Sequence, residues 1–253
     1  MQLFYKQYGN TGEPIFILHG IFGMLDNWHN IAKKLSEQYT VYTIDARNHG
    51  QSPHNDESGY QAMAEDVIEL ANHLHIDKFI LLGHSMGGKT ALWVANQFPE
   101  RIKKLIVVDI APKRYKQGHG AYFKAFEEIN WSAFTTRKEI DEALMAYESD
   151  MGVRLFLAKN IERNEAGSFS IKSNIPALKK AYDEIIGELH FTSVYEGETL
   201  FVLGEKSHYL KEEDKPYILK YFPKAQFVTI ANAGHWVHAD NPLAFVAAIE
   251  IFI

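Results

Sequence analysis

Short apolar runs alternate with amphipathic helical patterns along most of the chain, and this alternation limits the folds that it can adopt. The runs have the length and composition of strands buried on both faces. They are IFIL (15–18), TVYTI (40–44), FILLG (79–83), KLIVVD (104–109), TLFVLG (199–204) and QFVTI (226–230), and a further strand is predicted at LFYKQY (3–8). Helical patterns cover 28–35, 60–74, 86–98, 214–221 and 243–252. Strands separated by such helices predict an α/β fold, with a mostly parallel central sheet and flanking helices.

The stretch 113–187 interrupts this alternation, because it contains helical patterns and no convincing strand. We therefore predict an α/β core of residues 1–112 and 188–253, with a helical cap of residues 113–187 inserted after the sixth core strand. The stretch is rich in aromatic residues, among them Tyr122, Phe123 and Phe156. Most are expected to form its own small core. A minority should line a pocket beneath it, since ligands of open α/β sheets bind at the carboxyl ends of the strands.

One serine lies between two glycines where a buried run meets a helical pattern. The motif is Gly83-His84-Ser85-Met86-Gly87, which matches G-x-S-x-G. A sharp strand-to-helix turn of this kind exposes a serine hydroxyl, and glycines are needed where the chain packs tightly around it. The motif predicts that Ser85 is a nucleophile, and the alternative is a simple helix N-cap.

A serine hydroxyl needs a base that accepts its proton. ANAGHWVHAD (231–240) offers His235, in a loop between the last strand and the last helix. His238 is the rival, but its place near the start of the last helix favours a capping or surface role. We predict His235 as the base.

The base in turn needs an acid that orients its ring. The loop after TLFVLG has Ser207 where an aspartate is expected, with Glu205 two residues earlier. Asp109 closes a buried strand at the same predicted edge as Ser85, where an unpaired carboxylate would be costly. Asp109 is therefore the preferred acid, and Glu205 is the alternative.

Backbone donors are expected to hold the negative oxygen of the reaction intermediate. The segment LHGIFG (18–23) follows an early strand and can turn the Ile21 N–H towards the reacting carbon. Met86, at the start of the helix after Ser85, supplies its partner, and Phe22 is a further candidate. His19 is interpreted as a structural residue of the turn.

Composition excludes several classes of function. The chain has no cysteine, which rules out disulfides and thiolate chemistry, and its formal net charge of -6 disfavours nucleic acid as a partner. No secretory signal, membrane-span pattern or metal or nucleotide motif is evident. We predict a cytoplasmic protein with no cofactor, no metal and no membrane span, as a monomer or homodimer acting on a small molecule.

Five motifs together resemble the α/β-hydrolase superfamily, and above all its small bacterial esterase branch, the YbfF-like proteins. They are LHGIFG, DARNHGQS, GHSMGGK, VVDIAP and AGHWVHAD. The resemblance implies an α/β-hydrolase fold with a helical cap. It also implies hydrolysis of short-chain acyl esters, with acyl-CoA thioesters left open. In that branch the acid follows the strand that KLIVVD matches, which implies Asp109, and a serine matched by Ser207 lies beside the histidine and the acid.

Three hypotheses follow. The first is a serine hydrolase that cleaves carboxylic esters or thioesters through an acyl-enzyme. The second keeps the same residues but cleaves C–C bonds, or eliminates, on a small carboxylated substrate, which would require cations such as Arg47, Lys89, Lys113 or Arg114. The third is a non-catalytic receptor or scaffold on the same fold.

Overall fold

The computed structural model describes residues 1–165 and 167–253, and within them seven strands form one sheet. These strands are β1 (Tyr5–Tyr8), β2 (Pro14–Leu18), β3 (Thr40–Ile44), β4 (Phe79–His84), β5 (Ile102–Val108), β8 (Thr199–Gly204) and β9 (Ala225–Ile230). A separate short hairpin pairs β6 (Ile161–Arg163) with β7 (Phe169–Ile171). The order in the sheet is β1-β3-β2-β4-β5-β8-β9, and only β1 pairs antiparallel with its neighbour. The predicted mostly parallel α/β sheet is confirmed.

Helices cover both faces of the sheet and fill the segment between β5 and β8. They are α1 (His29–Leu35), α2 (Tyr60–His73), α3 (Met86–Gln97), α4 (Gly120–Glu128), α5 (Arg137–Leu144), α6 (Met151–Ala158), α7 (Ile175–Lys180), α8 (Tyr182–Ile185), α9 (Lys215–Tyr221), α10 (Val237–Asp240) and α11 (Pro242–Phe252). Short 3-10 turns occur at Leu25–Trp28, Pro99–Arg101, Trp131–Ala133 and Glu212–Asp214. Each helix that the sequence pattern predicts in the core is present within two residues of its expected bounds.

Side chains of the central strands alternate between two cores, one on each face of the sheet. In β2, Phe16 and Leu18 pack in the core that includes α2 and α3, whereas Ile15 and Ile17 pack in the core that includes α1 and α11. Strand β4 is buried along its whole length. The apolar runs in the sequence are continuous because successive residues of a strand point into the two cores in turn, and both cores are apolar.

The segment 113–187 contains helices α4–α8 and also the β6–β7 hairpin, so the expectation of no strand here was wrong. Three-residue strands are too short to give a period in the sequence. The position of the segment also differs from the prediction. It follows the fifth strand of the chain rather than the sixth, because five strand-forming runs precede Asp109.

A buried lysine connects the two ends of this segment. The Lys89 ammonium on α3 donates to the carbonyl oxygen of Lys113 at 2.9 Å and to that of Gly187. Burial lowers the pKa of Lys89 to about 7, and nearby Arg114 adds to the shift. Both ends of the segment therefore meet at the helix that follows Ser85.

Among the described residues, no helix combines the length and the apolar character that crossing a membrane would require.

Candidate active site

Ser85 lies on a strained turn between β4 and α3. Its backbone has φ 54° and ψ -119°, a combination that L-residues rarely adopt. The flanking glycines have no room for a side chain: a Cβ at Gly83 would lie 2.1 Å from the Gly87 carbonyl oxygen, and one at Gly87 would lie 2.5 Å from that of Leu18. The Ser85 hydroxyl makes no capping hydrogen bond to α3. These features are those of an exposed nucleophile turn rather than of an N-cap.

A buried carboxylate collects three donors at the end of β5. The His235 Nδ1–H donates to Asp109 Oδ2 at 2.7 Å, and the Gly204 N–H donates to Oδ1 at 3.1 Å. The Ser207 hydroxyl also donates to Oδ2. Asp109 is 1% exposed, so these hydrogen bonds offset the loss of water around its charge. The structure thus brings His235, Asp109 and Ser207 into contact with one another.

Glu205, the alternative acid, is directed elsewhere. Its side chain is exposed and accepts a hydrogen bond from the Asn232 N–H at 2.8 Å. Asp109 is therefore the acid that contacts His235. Glu205 instead stabilises the neighbouring loop.

Two further rings hold the His235 imidazole. Tyr209 stacks on it with ring centroids 3.7 Å apart and an interplanar angle of 13°, and the His84 ring lies 4.7 Å away. Sequence reasoning did not identify Tyr209. The available signal was an aromatic residue two positions after Ser207, in a loop already suspected of facing the site.

The backbone beside Ser85 presents two free donors. Within the part of the chain that the structure describes, neither the Ile21 N–H nor the Met86 N–H donates a hydrogen bond to the protein. The loop that carries Ile21 runs close to the serine, because a Cβ at Gly20 would lie 3.1 Å from Ser85 Cβ. Free N–H groups at such a position suit a developing oxyanion.

Phe22, predicted as a further oxyanion donor, does not fit that role. Its N–H donates to His49 Nε2 at 3.2 Å, and the His49 Nδ1–H donates to the Arg47 carbonyl at 2.9 Å. Burial lowers the pKa of His49 to about 3, so the ring is neutral and its Nε2 accepts. His49 holds the loop in place, a role that the sequence alone did not reveal.

His19 has the structural role that was predicted. One ring nitrogen donates to the Gly20 carbonyl at 2.8 Å, and the other accepts from the Ala46 N–H at 3.0 Å. The polar loop 45–52 also forms a network of hydrogen bonds and ion pairs. Asp45 accepts from the Leu25 N–H at 2.7 Å, and Arg47 pairs with the buried Asp66.

His238 differs from the expectation of a surface or capping residue. It is buried and stacks on Trp28, with ring centroids 4.0 Å apart and an interplanar angle of 15°. The start of α11 is capped by Asn241, whose side chain accepts from the Ala244 N–H. The position of His238 therefore depends on Trp28, which is distant in the sequence. The local sequence pattern around His238 could not indicate this contact.

Ser85 and His235 open into a common cavity of about 930 Å³. Its aromatic and aliphatic lining includes residues of both the sheet edge and the segment 113–187: Phe22, Trp28, Tyr122, Val153, Leu155, Phe156, Tyr209 and Trp236. Tyr122 and Phe156 are the minority of the segment's aromatics expected to line a pocket, whereas Phe123, Phe126 and Trp131 are buried in the main core cluster. The lining thus combines apolar surface with polar and charged side chains, and a concave site of this kind suits a small organic ligand.

Charged residues at the cavity are mostly acidic. Glu148, Asp150 and Asp240 line it, together with Lys159. The four cations considered for a carboxylated substrate are used elsewhere. Arg47 pairs with Asp66, Lys89 donates to two carbonyl groups, Lys113 pairs with Asp214, and Arg114 lies 3.5 Å from Asp183.

Comparison with known proteins agrees with this geometry. Residues 13–242 match the family model described as the alpha/beta hydrolase fold. The sn-1-specific diacylglycerol lipase ABHD11 of Danio rerio is 37% identical, over 100% of this chain and 83% of that protein. Esterase YbfF of Escherichia coli is 34% identical, over 96% and 94%. A solved structure titled marine microorganism esterase has a TM-score of 0.97 and 41% identity, over 100% and 99%. The chain belongs to the α/β-hydrolase family.

Proposed function

We propose that this protein is a serine esterase that cleaves acyl esters through an acyl-enzyme. The observation that carries the proposal is the 2.7 Å contact between His235 Nδ1 and the buried Asp109 carboxylate, beside a serine on a strained turn in the same cavity. The names of the esterase relatives add support. A receptor on the same fold would have no need for a buried acid that fixes the ring of a histidine.

In the proposed mechanism, His235 Nε2 accepts the Ser85 proton as the serine oxygen attacks the acyl carbon. The Ile21 and Met86 N–H groups stabilise the negative oxygen of the tetrahedral intermediate. His235 then protonates the leaving alkoxide. Water, activated by the same ring, attacks the acyl-enzyme and releases the acid. Asp109 holds Nδ1 protonated, so that Nε2 is the nitrogen facing the serine, and Ser207 supports that carboxylate.

The substrate is proposed to be an uncharged acyl ester, with the segment 113–187 acting as a cap domain over the acyl chain. The apolar lining suits a hydrocarbon chain, and the carboxylates at the cavity oppose an anionic ligand. None of the four candidate cations lines the cavity, and the Lys159 ammonium, which does, is outnumbered there by three carboxylates, which disfavours the C–C hydrolase alternative. Thioesters of anionic acyl carriers are disfavoured for the same electrostatic reason. Diacylglycerol, named for the zebrafish relative, is one uncharged ester to test.

The test combines kinetics with covalent labelling. We expect a burst of p-nitrophenol from a p-nitrophenyl ester, and labelling of Ser85 by a fluorophosphonate probe. Both should be lost in Ser85→Ala, while Ser52→Ala, at a serine that does not line the cavity, keeps them. Undiminished turnover by Ser85→Ala would exclude the proposal.

We further propose that the protein is cytoplasmic and that it is a monomer or a homodimer. The absence of cysteine from the chain suits a reducing compartment. Cell fractionation tests the location, and light scattering of the purified protein tests the oligomeric state.

A further inference from the structure

His84, the residue before Ser85, contacts the base as well as the nucleophile turn. It ends β4, and its Nε2–H donates to the carbonyl oxygen of His235 at 2.9 Å, across 151 residues of sequence. Its ring also lies against the His235 ring and, 5.1 Å away, against His238. A single side chain thus links the main chain of the base to the strand that ends at the serine.

The protonation state of His84 follows from its surroundings. The ring is 4% exposed, and burial, with smaller contributions from His235 and His238, holds the pKa of His84 well below its usual value. A neutral imidazole carries one N–H, and a carbonyl oxygen only accepts, so the proton is on Nε2. A neutral ring also adds no positive charge next to His235, which must become an imidazolium during the reaction.

The loop that carries His235 needs such an anchor. Its other main-chain hydrogen bonds among the described residues lead to the loop after β8 and to α10, not to β4: the Lys206 N–H donates to the Ala233 carbonyl at 2.8 Å, and the Gly234 N–H donates to Asp240 at 2.7 Å. The hydrogen bond from His235 Nδ1–H to Asp109 orients the imidazole but does not tie the backbone of His235 to the serine turn. The bond from His84 does, at the residue adjacent to Ser85.

We propose that His84 is a positioning residue, which sets the separation between His235 and Ser85 through its hydrogen bond to the His235 carbonyl. This inference rests on the proposed esterase function, because it assigns a role within the same site. It predicts that the donor at Nε2 matters more than the volume of the ring.

Three variants separate positioning from simple packing. His84→Gln keeps an amide N–H near the position of Nε2, His84→Met fills similar space without a donor, and His84→Asn has a donor too short to reach the carbonyl. We expect kcat for p-nitrophenyl butyrate to fall about 10- to 100-fold in the Met and Asn variants with KM nearly unchanged, and to stay within about threefold in the Gln variant.

Proton NMR supplies a second readout that needs no ester. The low-field resonance of the His235 Nδ1–H, bonded to Asp109, should persist in wild type and His84→Gln and broaden in the other two variants. The matched control is His54→Met, because His54 Nε2 also donates to a backbone carbonyl, that of Lys172 at 2.9 Å, away from the cavity. This control should keep the wild-type kcat and resonance.

Two results would overturn the inference. One is kcat and the low-field resonance both unchanged in His84→Met and His84→Asn. The other is a loss in His84→Gln as large as that in His84→Met, since the ring itself, and not its donor, would then be required. If the wild type hydrolyses no ester, the proposed function fails, whereas the NMR comparison still tests the role of His84.

Discussion

The cavity has two walls that are held in different ways. On one side lie the loops at the carboxyl ends of the strands, here called the sheet-edge wall, which carry Ser85, Asp109 and His235. Residues in this wall adopt strained backbone angles, such as φ 54° at Ser85 and 50° at Asp109, and lie within buried hydrogen-bond networks. The other wall is the segment 113–187, which meets the cavity mainly through side chains such as Phe156. The contrast teaches that the groups proposed to react lie on strained backbone within hydrogen-bond networks, whereas the proposed substrate space is bounded by side chains of the segment.

The strongest challenge to this contrast is to remove the acid from the sheet-edge wall. Asp109→Asn keeps the shape but favours the wrong tautomer of His235, so kcat should fall about 10⁴-fold. Steady-state kinetics measure the loss. The matched control, Glu205→Gln, should retain activity, and a larger loss in the control would reassign the acid to Glu205.

Two glycines, one in each wall, test the backbone constraint directly. Gly83→Ala forces a Cβ against the Gly87 carbonyl, so we expect about 100-fold lower activity and about 3 kcal/mol lower stability. Gly120, the first residue of α4, has no atom within 4 Å of a built Cβ. Gly120→Ala should raise the free energy of unfolding by about 0.4–1 kcal/mol. Urea unfolding measures both changes. If the two substitutions changed the free energy of unfolding equally, the backbone would not be more constrained in one wall than in the other.

Acid should weaken the sheet-edge wall more than the segment. Burial lowers the pKa of His19 to about 4 and that of His238 to about 3, as it does for His49, whereas the segment contributes His119, with a pKa of about 4. Unfolded histidines bind protons near their ordinary pKa, so stability is present above about pH 6.5 and is lost as the pH falls towards 4, by about 1.4 kcal/mol per pH unit and group. Burial raises the pKa of Asp45 to about 6, which opposes this trend in the same range.

Urea unfolding at pH 7, 6 and 5 measures this loss. In His119→Gln, the slope of the free energy of unfolding against pH should fall by the contribution of about one bound proton. It should otherwise remain steep, because the sheet-edge histidines are still present. Stability that does not change between pH 7 and 5 would contradict the neutral state assigned to these rings.

The smallest expected effect concerns the segment wall. Phe156 lines the cavity and lies 5.2 Å from the Trp236 ring. Phe156→Ala should lower kcat/KM for long-chain esters about tenfold, by removing apolar contact, and change that for acetyl esters by less than about threefold. A rate series over chain length measures this. The matched control is Phe134→Ala, because the Phe134 ring packs near Trp131. This substitution should lower the free energy of unfolding without changing the dependence of kcat/KM on chain length.

Sequence reasoning located the structural features that are encoded locally, whereas the catalytic roles assigned to them stay predictions. The strand-to-helix turn at Ser85 and the strand end at Asp109 are visible as short patterns, because backbone strain demands particular residues there. It failed where a side chain meets a partner far away in the chain. Tyr209 stacking on His235 and His238 stacking on Trp28 leave no periodic trace, and neither does the three-residue strand β6. Such contacts depend on tertiary packing, which a single sequence does not display.

The Lys89 ammonium has a consequence for how enzymes of this shape diversify. Because the carbonyl groups of Lys113 and Gly187 meet at one point on α3, everything between them forms a loop whose exit lies next to its entrance. A stretch of different length can enter and leave at the same two carbonyl groups, provided that it covers the apolar surface that Phe123, Phe126 and Trp131 now cover. Substrate range can then change through replacement of the segment 113–187, while the loops at the strand ends keep the residues proposed for catalysis.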